Sequence, residues 1–321
     1  MLDMRGAVRI ANREAVRMLG PVIPGRPVSF FLRAPEVLEA VARVTESGDS
    51  TSVRYYERVP IDRWLEAHVA MVAADAPDSG ILVVLHDLTQ AQRLERMRAD
   101  FVAHASHELR TPLASLSGFI ETLQGPARDD SAARERFLVI MQAQAQRMSR
   151  LIDDLLSLSR IELNAHLMPS GRQDLGEAVG HVVDGLRPLA ASQEVEIALA
   201  RPAEPLVVRG DRDELVRLFE NLVENAIKYA GSGKKIEVSL GSAGQQAVVV
   251  VRDFGPGIAP EHLPRLTERF YRVDVAESRG KGGTGLGLAI VKHIVNRHRG
   301  TLVIESVPGE GATFTVRIDL A

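Results

Sequence analysis

Two long segments of helical periodicity, lying back to back, restrict this chain more than any other feature. In FVAHASHELRTPLASLSGFIETLQG (residues 101–125) the apolar residues Phe101, Ala105, Leu109, Leu113, Leu116, Ile120 and Leu123 recur in steps of three or four. That spacing lays one continuous apolar stripe along a helix. After Gly125 and the turn residues PARDD, the same period returns from about Ser131 to Leu163, through Phe137, Ile140, Met141, Met148, Leu151, Ile152, Leu155 and Leu158. Two amphipathic helices joined by a short loop make an antiparallel hairpin. One hairpin has too little to pack against on both sides, so two copies are expected to form a four-helix bundle, hence a homodimer. The alternative is that the chain's own other domains cover the stripe.

At the edge of the first stripe stand His107 and Glu108, followed by Thr111 and Pro112. Neighbours on a helix diverge by about 100°, so a buried stripe leaves this imidazole and carboxylate reachable from outside. Proline lacks the N–H of an unbroken helix and is expected to bend the rod just past the histidine. His107 therefore reads as displayed rather than packed, although an isolated His-Glu pair on a helix is more often an ordinary surface feature.

At 321 residues the chain has room for two or three domains, and 45% hydrophobic with 25% charged residues is ordinary globular composition. No apolar run approaches the roughly 18 to 20 residues of a bilayer span, and MLDMRGAVRIANREA has no signal-peptide core. The absence of cysteine excludes disulfides and thiolate metal sites. A net charge of -3 gives no reason to invoke nucleic acid.

Residues 1–87 read as a small mixed α/β unit. RGAVRIAN alternates like a strand; REAVRMLG is a short helix closed by Gly20, and PEVLEAVARVTESG a second helix. SVRYYERVP, RWLEAHVAMVAA and GILVVLHDLT then read as three antiparallel strands, separated by turn residues Pro60, Asp62, Pro77, Asp78, Ser79 and Gly80. This order, with Ala11, Asn12, Ala15, Leu19 and Gly20 at its opening, resembles a PAS sensor domain. The resemblance begins late, so the domain is expected to be incomplete at its start. His68 and His86 are single histidines in strand patterns and are assigned no cofactor. Residues 88–100 alternate in charge on a helical pattern, a linker that would carry strain from the sensor unit to His107 if it is one continuous helix.

Residues 170–321 hold a second set of features. In LVRLFENLVENAIKYA, Asn221 and Asn225 lie four apart on one helical face, and carboxamide oxygens are suitable hard ligands for Mg²⁺. The strand-like AVVVVRDFGPGI ends at Asp253, with Gly255 and Gly257 in a turn that a planar base could approach. Beyond an irregular stretch, GGTGLGLAIVKHIVNRHRG opens a helix behind closely spaced glycines, whose bare N–H groups can cradle phosphate.

Taken in order, NLVENAIKY, DFGPGI, ERFYR and GGTGLGLAI resemble the N, G1, F and G2 boxes of the sensor histidine kinases, and FVAHASHELRTPL upstream resembles their phosphoacceptor box. The resemblance covers about residues 88–321. It implies a multidomain α+β chain: a PAS-like sensor domain (1–87), a helical linker (88–100), a dimerisation and histidine phosphotransfer hairpin (101–165), and an ATP-binding α/β sandwich (170–321) of the gyrase, Hsp90, histidine kinase and MutL type. SLSGFIETLQGPARDD and RLIDDLLSLSRIE look most like the phosphate-regulon sensor kinases, which implies a role in phosphate-starvation signalling.

By the same resemblance, His107 would be the nucleophile on the γ-phosphate of ATP and Glu108 would orient or accept the proton of the other ring nitrogen. Asn225 would bind Mg²⁺ with Asn221 supporting it; Lys228 would reach phosphate and Tyr229 would lie against the nucleotide. Asp253 would accept from the adenine amino group, which selects ATP over GTP, with Gly255 and Gly257 beside it. Gly283, Gly285 and Gly287 would let a lid close over the phosphates, Phe270 would anchor that lid, and Thr313 would lie beside the adenine-binding aspartate. Arg272 and Lys281 are further candidates for phosphate contact. Thr111, in HELRT, would position water for hydrolysis of a partner's phospho-aspartate, which makes the chain phosphatase as well as kinase; alternatively it only precedes Pro112.

The implied partner is the receiver domain of a separate response regulator, and the implied location is cytoplasmic, as the soluble part of an inner-membrane-associated sensor whose tether lies outside this sequence. One departure is His104, where many relatives have asparagine or aspartate; it shares a face with His107, but two nitrogens without a third ligand make a poor metal site. The competing classes are a non-kinase ATPase of the gyrase, Hsp90 and MutL fold, and a pseudokinase scaffold.

Overall fold

The computed structural model describes residues 1–58, 62–72, 79–230, 233–273 and 283–321. The chain divides into two compact units, Met1–Ala103 and His104–Ala321.

In the first unit, α1 (Arg13–Leu19) begins where the Asn12 side chain accepts the Ala15 N–H and ends at Gly20, and α2 (Pro35–Ser47) has proline in its first turn and a left-handed Gly48 after its last. Val37, Ala40, Val41 and Val44 form the buried stripe of α2. They pack on a three-stranded antiparallel meander of β1 (Thr51–Glu57), β2 (Arg63–Val72) and β3 (Gly80–Asp87), in the order β1-β2-β3. Strand pleating sends Leu65, Ala67 and Val69 of β2 inward and Glu66 and His68 to the opposite face. The strand expected in RGAVRIAN does not form. Asp3 Oδ1 accepts the N–H groups of Arg5 and Ala7 and Gly6 takes a positive φ, so the segment turns back on itself and leaves only isolated bridges, Leu2 to Val8 and Ile81, and Ala7 to Pro27. Of the expected turn residues, Pro60, Pro77 and Asp78 lie outside the described residues.

Helix α3 (Thr89–Gln124) runs without interruption from the expected linker through His107. Pro112 sits inside it and removes the donor that the Glu108 carbonyl would otherwise receive. Helix α4 (Ser131–Leu163) starts at Asp130, whose side chain accepts the Ala133 N–H. Phe119 meets Phe137 with ring centroids 5.1 Å apart, and Glu108 meets Arg147 at 2.9 Å. One index falls as the other rises, so the hairpin is antiparallel as expected. Along it, Leu113 of α3 and Leu138 and Leu156 of α4, the last two in phase on one side of that helix, are 54%, 51% and 53% exposed, apolar surface that the single chain leaves in solvent. No helix among the described residues is long and apolar enough to cross a membrane.

The remainder is an α/β sandwich. Its sheet runs β5 (Glu196–Ala200), β7 (Lys235–Ala243), β8 (Gln246–Asp253), β10 (Gly311–Asp319), β9 (Thr301–Val307), antiparallel except for β5 on β7. A small ladder joins β4 (Arg172–Asp174) to β6 (Val207–Arg209). Helices α5 (Leu175–Ser192), α6 (Arg212–Tyr229) and α7 (Gly287–Arg297) pack side by side, α6 in the middle. The α6 stripe Leu215, Leu218, Phe219, Leu222, Val223, Ala226 and Ile227 is fully buried, which fixes the other face of that helix toward a cavity.

Candidate functional site

That cavity measures about 430 Å³, within the range of small-molecule sites. From α6 it is lined by Arg217, Asn221, Glu224, Asn225 and Lys228, positions i, i+4, i+7, i+8 and i+11, one helical face. The Asp211 side chain starts this helix by accepting the N–H groups of Asp213 and Glu214. Asn221 Nδ2 donates to the Arg217 carbonyl at 2.8 Å, and Lys228 pairs with Glu224 at 2.9 Å. Tyr229 closes the end of the helix and also lines the space.

Asp253 is the last residue of β8, 5% exposed, and belongs to the pleat parity of Val249 and Val251 that faces the helices. Its Oδ1 accepts the N–H groups of Gly255 at 3.0 Å and Ala312 at 3.3 Å. Burial raises its pKa, and the two backbone donors oppose that shift. The Gly255 backbone thus holds the carboxylate rather than lining the cavity, whereas Gly257 lines it.

The opposite wall comes from Gly283, Thr284, Gly285 and Gly287, where α7 begins. A side chain at Gly287 would put its Cβ 2.5 Å from Asn221 Oδ1, so the absence of a side chain there is what lets α7 approach the carboxamide face. Gly285 has φ +74, a region that favours glycine, and its carbonyl accepts the Phe270 N–H at 2.8 Å. Phe270 itself does not line the cavity; its ring stacks on His104 with centroids 5.6 Å apart. Lys281 lies outside the described residues.

Thr313 is not beside Asp253. It pairs with Arg252 across β8 and β10, one residue short of Asp253, so the pleat turns its side chain to the other face of the sheet. Ala312 and Phe314 line the cavity in its place.

Sequence reasoning missed a third wall, contributed by the hairpin. Arg150, Asp153 and Asp154 of α4 line the cavity. Asp154 accepts from Arg217 at 2.8 Å and from the Thr284 hydroxyl at 2.7 Å. Burial raises the Asp154 pKa against both partners. Further along α4, Glu162 pairs with Arg269 and, at 3.5 Å, with His293. The only local signal was two adjacent aspartates inside the apolar run of RLIDDLLSL.

His107 is exposed on α3, its carbonyl accepting the Thr111 hydroxyl at 3.2 Å. Neither His107, Glu108 nor Thr111 lines the cavity. Glu108 is joined to it through Arg272, which bonds the carboxylate at 3.1 Å and the Gly283 carbonyl at 2.8 Å and itself lines the cavity. Arg147 holds the same carboxylate oxygen from α4.

A buried carboxylate, two carboxamides on one face and a glycine-rich helix start form a donor set suited to a purine nucleotide and to Mg²⁺, which takes oxygen ligands.

Two protein families match this chain: "His Kinase A (phospho-acceptor) domain" over residues 97–164 and "Histidine kinase-, DNA gyrase B-, and HSP90-like ATPase" over residues 210–321. Among curated proteins, the phosphate regulon sensor protein PhoR of Pseudomonas aeruginosa is 39% identical over 98% of this chain and 70% of its own length. The sensor protein kinase WalK of Staphylococcus haemolyticus is 33% identical over 98% of the chain, which spans only 52% of it. Among solved structures, the Acinetobacter baumannii histidine kinase AdeS aligns over 67% of this chain and 98% of its own, with TM-score 0.53 and 26% identity. The histidine kinase ThkA in complex with response regulator protein TrrA aligns over 100% and 94%, with TM-score 0.55 and 20% identity, a likeness of fold.

Proposed function

The chain belongs to the sensor histidine kinase family, and on that premise we propose that it transfers the γ-phosphoryl group of ATP to His107 and from there to an aspartate of a response regulator. The observation that carries this reading is the single cavity uniting Asn221, Asn225, Asp253 and the Gly283–Gly287 segment, in a chain that also displays an exposed imidazole on the hairpin.

In this reading Asp253 accepts from the adenine amino group, and Asn225, supported by Asn221, holds Mg²⁺, which when bound neutralises phosphate charge. Lys228 reaches the phosphates, Tyr229 lies against the nucleotide, and the glycines at the start of α7 offer backbone N–H groups. One His107 nitrogen attacks the γ-phosphorus while the bond to the ADP oxygen breaks. The proton on the other ring nitrogen goes to Glu108, which the Arg147 and Arg272 guanidinium groups hold in place. Arg272 positions Glu108 relative to the lid segment. The exposed apolar side chains of the hairpin suit a second copy, making a homodimer; sedimentation as a monomer at micromolar concentration would count against that.

The finer reading follows the PhoR likeness: a phosphate-starvation role, residues 1–87 as a PAS-like sensor unit, a membrane tether outside this sequence, and phosphatase activity through Thr111. The alternatives are a non-kinase ATPase and a pseudokinase scaffold. The deciding experiment incubates the chain with γ-labelled ATP and Mg²⁺, then with a panel of response regulators. Acid-labile, base-stable phosphate that disappears in His107→Ala but persists in His104→Ala is the expected result. ATP turnover without such phosphate supports the non-kinase ATPase, and ATP binding with neither supports the scaffold.

A further inference from the structure

The outer face of the meander brings together three side chains that the sequence kept apart. Glu66 and His68 are two apart on β2 and so share a face, and β3 runs in the register that sets His86 directly opposite Glu66. One ligand atom from each of the three lies within 4.8 Å of the others. His68 Nε2 and Glu66 Oε2 are already 3.2 Å apart, and the two imidazole rings meet edge to face at 5.3 Å. Ligand atoms about 2.1 Å from a tetrahedral ion stand about 3.4 Å apart, so small side-chain rotations on a fixed sheet bring the trio to that spacing.

The neighbours orient these groups. Ser52, opposite His68 on β1, bonds Nδ1 and leaves Nε2 facing Glu66. Arg54 bonds Glu66 Oε1 at 2.8 Å and leaves Oε2 toward the histidines. His86 is exposed, so one coordination position stays open to water.

We propose that Glu66, His68 and His86 form a binding site for a divalent transition-metal ion of the zinc class. Two imidazole nitrogens and one carboxylate suit Zn²⁺, Ni²⁺ or Cu²⁺ rather than Mg²⁺ or Ca²⁺, which prefer oxygen alone. The Arg54 charge moderates the affinity, making this an exchangeable site. His86 also lies three residues before Thr89, the start of α3, so a bound ion braces the strand end from which that helix departs. The proposal does not rest on the kinase reading.

The test is a zinc titration of the full chain against a chromophoric chelator, in phosphate-free buffer without ATP. One ion per chain is expected, with affinity at least about 10-fold weaker in His68→Ala and in His86→Ala, the loss that even an outer-shell partner can cause. Because His86 is exposed, its variant should keep the wild-type circular dichroism, and the isosteric Glu66→Gln gives a second, shape-preserving loss. Cobalt on the wild type should show visible d–d absorption that His86→Ala abolishes. The proposal is overturned if these variants bind as tightly as wild type, if the wild type binds no ion, or if His104→Ala and His107→Ala remove the binding instead.

Discussion

His298 gives the sharpest link between proton chemistry and the nucleotide face. It is 1% exposed at the end of α7. Its Nδ1 donates to the Ile294 carbonyl at 2.8 Å, and its Nε2 accepts the Asp211 N–H at 3.2 Å. Both partners are backbone groups with no alternative role, so the ring must be the neutral Nδ1–H tautomer. A proton on Nε2 would face the Asp211 N–H, and Asp211 is the residue that caps α6, the helix carrying Asn221 and Asn225. Burial lowers the His298 pKa; the nearby Arg297 charge lowers it further, while the Ile294 bond and Asp211 oppose the shift.

For a base with a depressed folded pKa, the unfolded chain binds more protons below about pH 6.5, so stability is fully present above that value and is lost as pH falls toward the folded pKa. From pH 6.5 to 5.5 one such site removes about 1 kcal/mol, provided the folded ring stays neutral, which is about 2–4 °C in the melting temperature of a unit of this size. The assay is unfolding of the full chain at several pH values, with hydrogen exchange of the β8 and β10 peptides isolating the sandwich from the other unit. His298→Gln should cost about 1 kcal/mol at pH 7.5 through the lost Nδ1 bond, yet remove this increment of acid sensitivity. His293, also lowered by burial, titrates in both proteins and cancels in the comparison. Parallel pH slopes in wild type and variant would refute the tautomer argument.

Gly287→Ala places a Cβ 2.5 Å from Asn221 Oδ1; calorimetry should find Mg²⁺-ATP binding weakened about 10-fold or more, a cost of about 1.4 kcal/mol, and unchanged affinity would mean that α7 shifts freely. Asp154→Ala strips Arg217 of its carboxylate. Since Arg217 remains 31% exposed, the cost is about 1–3 kcal/mol rather than that of a fully buried pair, and amide exchange in α4 around residues 150–160 should accelerate; unchanged exchange would show that this contact does not hold α4 to the sandwich. Thr111→Ala should leave ATP-dependent labelling of His107 within about twofold, because among the described residues its hydroxyl donates to the His107 carbonyl alone, while slowing dephosphorylation of a phosphorylated regulator. Equal dephosphorylation rates would leave Thr111 with a purely local role.

What could be read from the sequence was whatever a single element carries. The Asn221 and Asn225 spacing, with Lys228 one turn on, put one helical face into the cavity without any tertiary knowledge, and the apolar steps located the end of α3 and both ends of α4 to within a few residues, while the first twelve residues of α3 fell in the charged linker segment. Failures came where two strands or two layers must be aligned. Thr313 was placed beside Asp253 from its position in a short phrase, but strand pairing decides faces by parity. Thr313 opposes Arg252, and one residue of offset sends it through the sheet. Asp154 gave no local sign of reaching the nucleotide cavity, because that depends on which face of α4 meets the sandwich, a choice made by Arg217 and Thr284 from far along the chain. His68 and His86 show the same limit. Each looked inert alone, and only the β2–β3 register, Glu66 against His86, makes them neighbours. A one-residue slip of that register would turn His86 to the buried face, so conditions that preserve the meander preserve the trio, and metal binding becomes a direct readout of strand register in this unit.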